Sequence, residues 1–76
     1  MTMLKIGLDQ SQKIEDLEIK VLEIEDSSYV KFSVNKDGTI VKFGGGKGDK
    51  FTAFERVFEV KEIEKSLSVF EVIDDE

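Results

Sequence analysis

The stretch Val30-Lys31-Phe32-Ser33-Val34-Asn35-Lys36-Asp37-Gly38-Thr39-Ile40-Val41-Lys42-Phe43 decides the fold class. Val30, Phe32 and Val34 alternate with Lys31 and Ser33, so one parity is apolar and the other polar. That period of two is the signature of a half-buried β-strand. Asn35 to Gly38 then carry turn chemistry. Asn starts the turn and Gly supplies a positive φ, as in a type I turn with a bulge. Thr39 to Phe43 is the return strand, and the whole predicts a β-hairpin.

On the N-terminal side, Asp26-Ser27-Ser28 is a turn signal. Before it, Leu17 to Glu25 alternates apolar and charged residues, but the phase slips once. Leu17, Ile19 and Val21 share one parity, whereas Leu22 and Ile24 take the other. A β-bulge at Val21–Leu22 would keep both sets on the core; a strand buried on both faces is the alternative. Asp9 to Lys13 is polar and reads as a loop, and Met3 to Leu8 as a first short strand.

On the C-terminal side, Gly44-Gly45-Gly46-Lys47-Gly48-Asp49-Lys50 reads as a flexible loop, because glycine loses the most entropy on ordering. Phe51 to Glu64 admits two readings. Phe51, Phe54 and Phe58 approximate one helical face, while Phe58 and Val60 alternate with Glu59 and Lys61. The β-branched Val57, Val60 and Ile63 favour strand. Lys65-Ser66 reads as a turn, Leu67 to Ile73 as a last strand, and Asp74-Asp75-Glu76 as a frayed acidic tail.

A possible repeat runs through these segments. Residues 21–30, VLEIEDSSYV, match residues 60–69, VKEIEKSLSV, at six of ten positions. After one gap, Phe32-Ser33-Val34 matches Phe70-Glu71-Val72, and upstream Leu4 to Gly7 resembles Val41 to Gly44. Chance is the competing explanation in a chain rich in Glu, Lys, Ile and Val. The expected fold is all-β, or α+β with one short helix. It is a small antiparallel sheet or a six-stranded barrel, built from two three-stranded repeats over 3–38 and 39–76 of one 76-residue domain.

Composition bounds the chemistry. The chain has no Cys and no His, so a disulfide framework, thiol chemistry and a Cys/His zinc site are excluded. A nucleophilic triad lacks its usual base. The remaining acid–base candidates are carboxylates, Lys and Tyr29, and a domain this small has little room for a substrate cleft. We therefore expect no enzyme, no cofactor and no metal. Ser33, Asn35, Asp37 and Gly38 echo the start of a calcium loop, but its twelfth position is Gly44 instead of Glu. The glycine loop lacks the G-x-x-x-x-G-K-[ST] pattern of a phosphate loop. Its backbone N–H groups, with Lys47 and Lys50, offer an anion nest; a mobile loop without ligand is the plainer reading.

The net charge of −6 opposes general affinity for nucleic acid and for anionic membranes. No stretch approaches the roughly 20 apolar residues of a membrane span, and the short apolar start, broken by Lys5, is no signal peptide. The expected location is cytoplasmic. Ten of the eleven basic residues are Lys, which fits an AT-rich genome such as that of a phage or a low-GC bacterium. The charge is uneven: 9–26 and 57–76 each carry seven acids against two lysines, and 27–50 carry five lysines against two acids.

Alternate strand residues lie roughly 6.6 Å apart, about every second phosphate of a nucleic-acid strand. A row of Glu23, Glu25, Glu59, Glu62 and Glu64 would mimic that spacing, although such glutamates commonly only solvate a sheet. The leading expectation is a small acidic protein-binding module. It would act as an inhibitor or accessory factor docking those glutamates on a basic, nucleic-acid-binding surface of a partner protein. One alternative is a single-stranded nucleic-acid binder using Lys42, Lys47, Lys50 and Arg56 with Phe43, Phe51 and Phe54. Another is a homo-oligomeric assembly protein closing its sheet edges.

Overall fold

The computed structural model describes residues 2–73. The acidic tail at 74–76 lies outside them. Eight strands follow in order: β1 (Thr2–Gly7), β2 (Ser11–Ile14), β3 (Leu17–Glu25), β4 (Tyr29–Lys36), β5 (Thr39–Gly45), β6 (Lys50–Ala53), β7 (Arg56–Ile63) and β8 (Leu67–Ile73). They form two four-stranded antiparallel sheets, ordered β2-β3-β4-β5 and β6-β7-β8-β1. The all-β reading holds. The six-stranded barrel and the three-stranded units do not, because each half contributes four strands and the barrel is not closed. No helix occurs among the described residues, so none there is long and apolar enough to cross a membrane.

The central hairpin stands where the alternation puts it, with β4 paired to β5. Its turn differs from the expectation. Lys36 faces Thr39, leaving the two-residue loop Asp37-Gly38 with φ of 53° and 88°. Two positive φ values make a type I′ turn, whose twist matches that of the strands better than a type I turn with a bulge. Asn35 caps it: Gly38 N donates to Asn35 Oδ1 at 3.0 Å.

The phase slip in Leu17–Glu25 is a bulge, as expected, with the register shift between Val21 and Glu23. The same shift recurs between Val60 and Glu62, 39 positions on. Ser68 serves this second bulge. Its hydroxyl is fully buried and donates to the Glu62 carbonyl at 2.8 Å. Ser68→Ala would leave that acceptor unsatisfied and is expected to cost about 1–2 kcal/mol. Urea unfolding checks it; an unchanged midpoint would mean that water takes over the bond.

Three segments depart from the sequence reading. Asp9 to Lys13 is not all loop, because β2 begins at Ser11 and pairs with β3. Gly44 and Gly45 belong to β5. Phe51 to Glu64 is neither one strand nor a helix: it turns at Phe54-Glu55, both at positive φ, and separates β6 from β7. Neither residue is a natural turn former. Phe54 instead packs on the core, and Arg56 at the base of the turn pairs with Glu15 in the adjacent β2–β3 turn.

The halves correspond in geometry. Val21 exchanges backbone hydrogen bonds with Asp9 and Gln10, and Val60 does so with Gly48 and Asp49, again 39 positions on. Each half lends a strand to the other's sheet: β5 lies beside β4, and β1 beside β8. Phe70 faces Leu4 in one ladder and Phe32 faces Phe43 in the other. The ladders thus equate Leu4 with Phe43, not with Val41 as the sequence match has it. One core lies between the sheets, where Phe32 meets Phe70 at 4.8 Å between ring centres.

Candidate functional site

Burial parity assigns each strand residue to the core or to an outer face. On β8, Ser68, Phe70 and Val72 are buried, so Leu67, Val69, Glu71 and Ile73 lie on the outer side. On β7, Phe58, Val60 and Ile63 are buried and Val57, Glu59 and Glu62 lie outside. On β1, Leu4 and Ile6 are buried; Met3 and Lys5 lie outside. In the other sheet, β4 buries Val30, Phe32 and Val34 beneath Tyr29, Lys31, Ser33 and Asn35.

The ladders make these faces comparable position by position. Glu18 faces Asn35 where Val57 faces Ile73. Glu23 faces Lys31 where Glu62 faces Val69. One outer face therefore carries Glu18, Lys31, Asn35 and Tyr29 where the other carries Val57, Val69, Ile73 and Leu67. The central rows also differ. Ser11, Lys20, Ser33 and Lys42 run across the first sheet. Lys50, Glu59, Glu71 and Met3 run across the second.

Glu59 and Glu71 stand directly opposite one another, a placement that repels. Their side chains are only 20% and 13% exposed, and Lys61 Nζ lies 3.6 Å from a carboxylate oxygen of each. Across the molecule, Lys20 and Lys42 are exposed and have no ion-pair partner among the described residues. Ser33 stands between them in the ladder, itself buried, at a groove lined also by Asp9, Ser11, Glu18, Lys20, Asn35 and Ile40.

The expected acidic row is divided. Glu23 and Glu25 belong to the face with Lys31, whereas Glu59 and Glu62 belong to the opposite one. Glu64 lies past the end of β7, its N–H donating to the Leu67 carbonyl. Three of these acids have a cation at hand: Glu23 with Lys31 at 3.5 Å, Glu59 with Lys61 at 3.6 Å and Glu62 with Lys47 at 3.2 Å. The division follows from β3 and β7 lying in different sheets, which local alternation does not reveal.

The basic alternative is scattered too. Lys42 lies on one outer face and Lys50 on the other, Lys47 pairs with Glu62, and Arg56 pairs with Glu15. Phe43 and Phe51 are not free stacking platforms, since they pack on Phe32 at 5.5 and 5.3 Å between ring centres. The glycine turn fills its own anion site: the Asp49 carboxylate accepts from Gly46 N at 2.8 Å, and Gly48 N is bound to the Val60 carbonyl.

Sequence reasoning passed over Lys20, Glu71 and the outward Val57, Val69 and Ile73. A signal existed for Val69 and Ile73, because β8 is apolar at both parities, as in strands covered on both faces. Comparison of the chain with protein-family models, curated proteins and solved structures finds no match.

Proposed function

We propose that this chain is a non-catalytic protein-binding module that docks through the outer face of β6-β7-β8-β1. Its partner presents basic side chains among apolar ones. The observation that carries the reading is the contrast between the two outer faces. Where one sheet meets water with Glu18, Lys31 and Asn35, the other places Val57, Val69 and Ile73 around the Glu59–Glu71 pair.

Apolar side chains on an outer face gain nothing from water, at roughly 25 cal/mol for each Å² that a partner would cover. The paired carboxylates repel one another and share one lysine, so an arriving cation relieves them. The apolar positions supply affinity and the acids supply register and partner choice. The absence of His and Cys from the sequence supports binding over catalysis.

The test uses a partner captured with the immobilised wild-type chain and then purified. The double variant Val69→Lys, Ile73→Lys is expected to bind that partner at least about tenfold more weakly, the order of a lost interface anchor. Lys31→Glu, on the opposite face, is expected to bind as wild type does. Equal affinity for all three chains, or loss only with Lys31→Glu, would overturn the proposal.

A further inference from the structure

We propose that each half of this chain can take its complement from a second copy, and that the turn Asp37-Gly38 decides between the closed monomer and a half-exchanged dimer. The halves, 1–38 and 39–76, complete one another. The first supplies β2-β3-β4 to one sheet and β1 to the other; the second supplies β5 and β6-β7-β8. Without the opposite half, β4 loses β5 along the register from Val30↔Gly45 to Lys36↔Thr39. Likewise β1 loses β8 from Thr2↔Val72 to Gly7↔Leu67. Phe32 loses Phe43, Phe51 and Phe70 together, at 5.5, 5.3 and 4.8 Å between ring centres. Glu15 loses Arg56.

None of these contacts requires that both halves lie on one chain. The sequence has no Cys, so only the backbone of the turn joins them covalently. With the turn opened, β4 and β5 run on as one extended strand, and two chains can trade halves with every contact remade. Both outer faces stay as they are, so the dimer presents each of them twice. The exchange is independent of the docking face proposed above.

The native turn favours the monomer. Its two-residue loop holds the opposite half at an effective concentration in roughly the millimolar range, and Asn35 Oδ1 caps Gly38 N. The same turn is where the balance can be moved. Gly38 sits at φ 88°, and a Cβ added there would meet nothing within 4 Å. A β-branched side chain at this position therefore acts through the backbone alone. It is strained in the turn and favoured in the extended hinge. An exchanged dimer relieves that strain twice, once per chain, which lowers the dimer Kd at least about tenfold.

The test is sedimentation velocity of the full chain, unfolded in urea and refolded at roughly 10 µM to 1 mM. Gly38→Val is expected to dimerise with a Kd at least about tenfold below that of wild type. Gly48→Val is the control, because Gly48 has φ 92° and equally open space but lies within the second half. It is expected to stay monomeric. A cysteine pair tells exchange from surface docking. Leu8 N donates to the Ser66 carbonyl, so Lys5 and Val69, three rungs along the ladder, form a non-hydrogen-bonded pair. Such Cα atoms lie about 4.5 Å apart, within disulfide range. With Lys5→Cys and Val69→Cys added, oxidised Gly38→Val is expected to run as a covalent dimer on a denaturing gel. The same pair in the chain that keeps Gly38 is expected to give a covalent monomer. Should Gly38→Val fail to fold by circular dichroism, the less strained Gly38→Ala replaces it under the same criteria. A Gly38 variant that stays monomeric up to about 1 mM would overturn the inference. A dimer whose disulfides lie within each chain, or one that Gly48→Val forms equally, would do the same.

Discussion

Phe32→Ala is expected to remove a large share of the fold's stability at 25 °C. Phe32 is fully buried and touches Phe43, Phe51 and Phe70, so its ring joins the two sheets. Truncating such a ring costs about 3–5 kcal/mol, as lost burial plus the cavity left behind. A chain of 76 residues has on the order of 4–11 kcal/mol of stability in all. No disulfide is available to hold the halves together, since the chain has no Cys. Urea unfolding followed by circular dichroism reads the loss directly. Phe32→Leu, which keeps most of the volume, should lose less than about 1.5 kcal/mol. A loss below that figure for Phe32→Ala would show that the ring cluster does not join the sheets.

The second large effect is at Gly45, and it is an effect of space. Gly45 is buried in β5 opposite Val30. A Cβ there would stand 2.5 Å from the Phe51 ring tip and 2.8 Å from the Asp49 carboxylate. That carboxylate caps the turn through Gly46 N, so displacing it undoes a second interaction. Gly45→Val is expected to cost about 2–3 kcal/mol through overpacking and the disturbed cap. Gly44 is the control. The atoms nearest a Cβ at Gly44 are those of the Tyr29 side chain, which lies at the surface and can swing away. Gly44→Val should therefore cost less than about 1 kcal/mol. Equal losses at the two sites would show that the interior yields at Gly45. In the other sheet the equivalent ladder position holds Ile6, opposite Ser68. The two sheets thus fill their shared core by different exchanges of volume.

These glycines also show where local reading goes astray. Four glycines within five positions suggested a loop, because local entropy was the only term in view. In the fold, Gly44 and Gly45 are strand residues, and their missing side chains make room for Tyr29 and Phe51. Ser11 to Ile14 was passed over for the opposite reason. Its first three residues are exposed on an edge strand, so no apolar parity marks it. The turn at Phe54-Glu55 was hidden because its positive φ values fall on residues that seldom adopt them. Packing of Phe54 on the core and pairing of Arg56 with Glu15 hold it in place.

By itself the sequence determined the all-β class, the hairpin of 30–43 and the bulge at Val21–Leu22. Those rest on the parity of neighbouring side chains, which is written locally. Only the tertiary structure decided that the halves exchange β1 and β5, that Glu23 and Glu25 lie on one outer face and Glu59 and Glu62 on the other, and that Glu59 stands opposite Glu71. Parity states that a residue points away from the core. Which sheet it then belongs to, and what stands beside it, depends on strands distant in the chain.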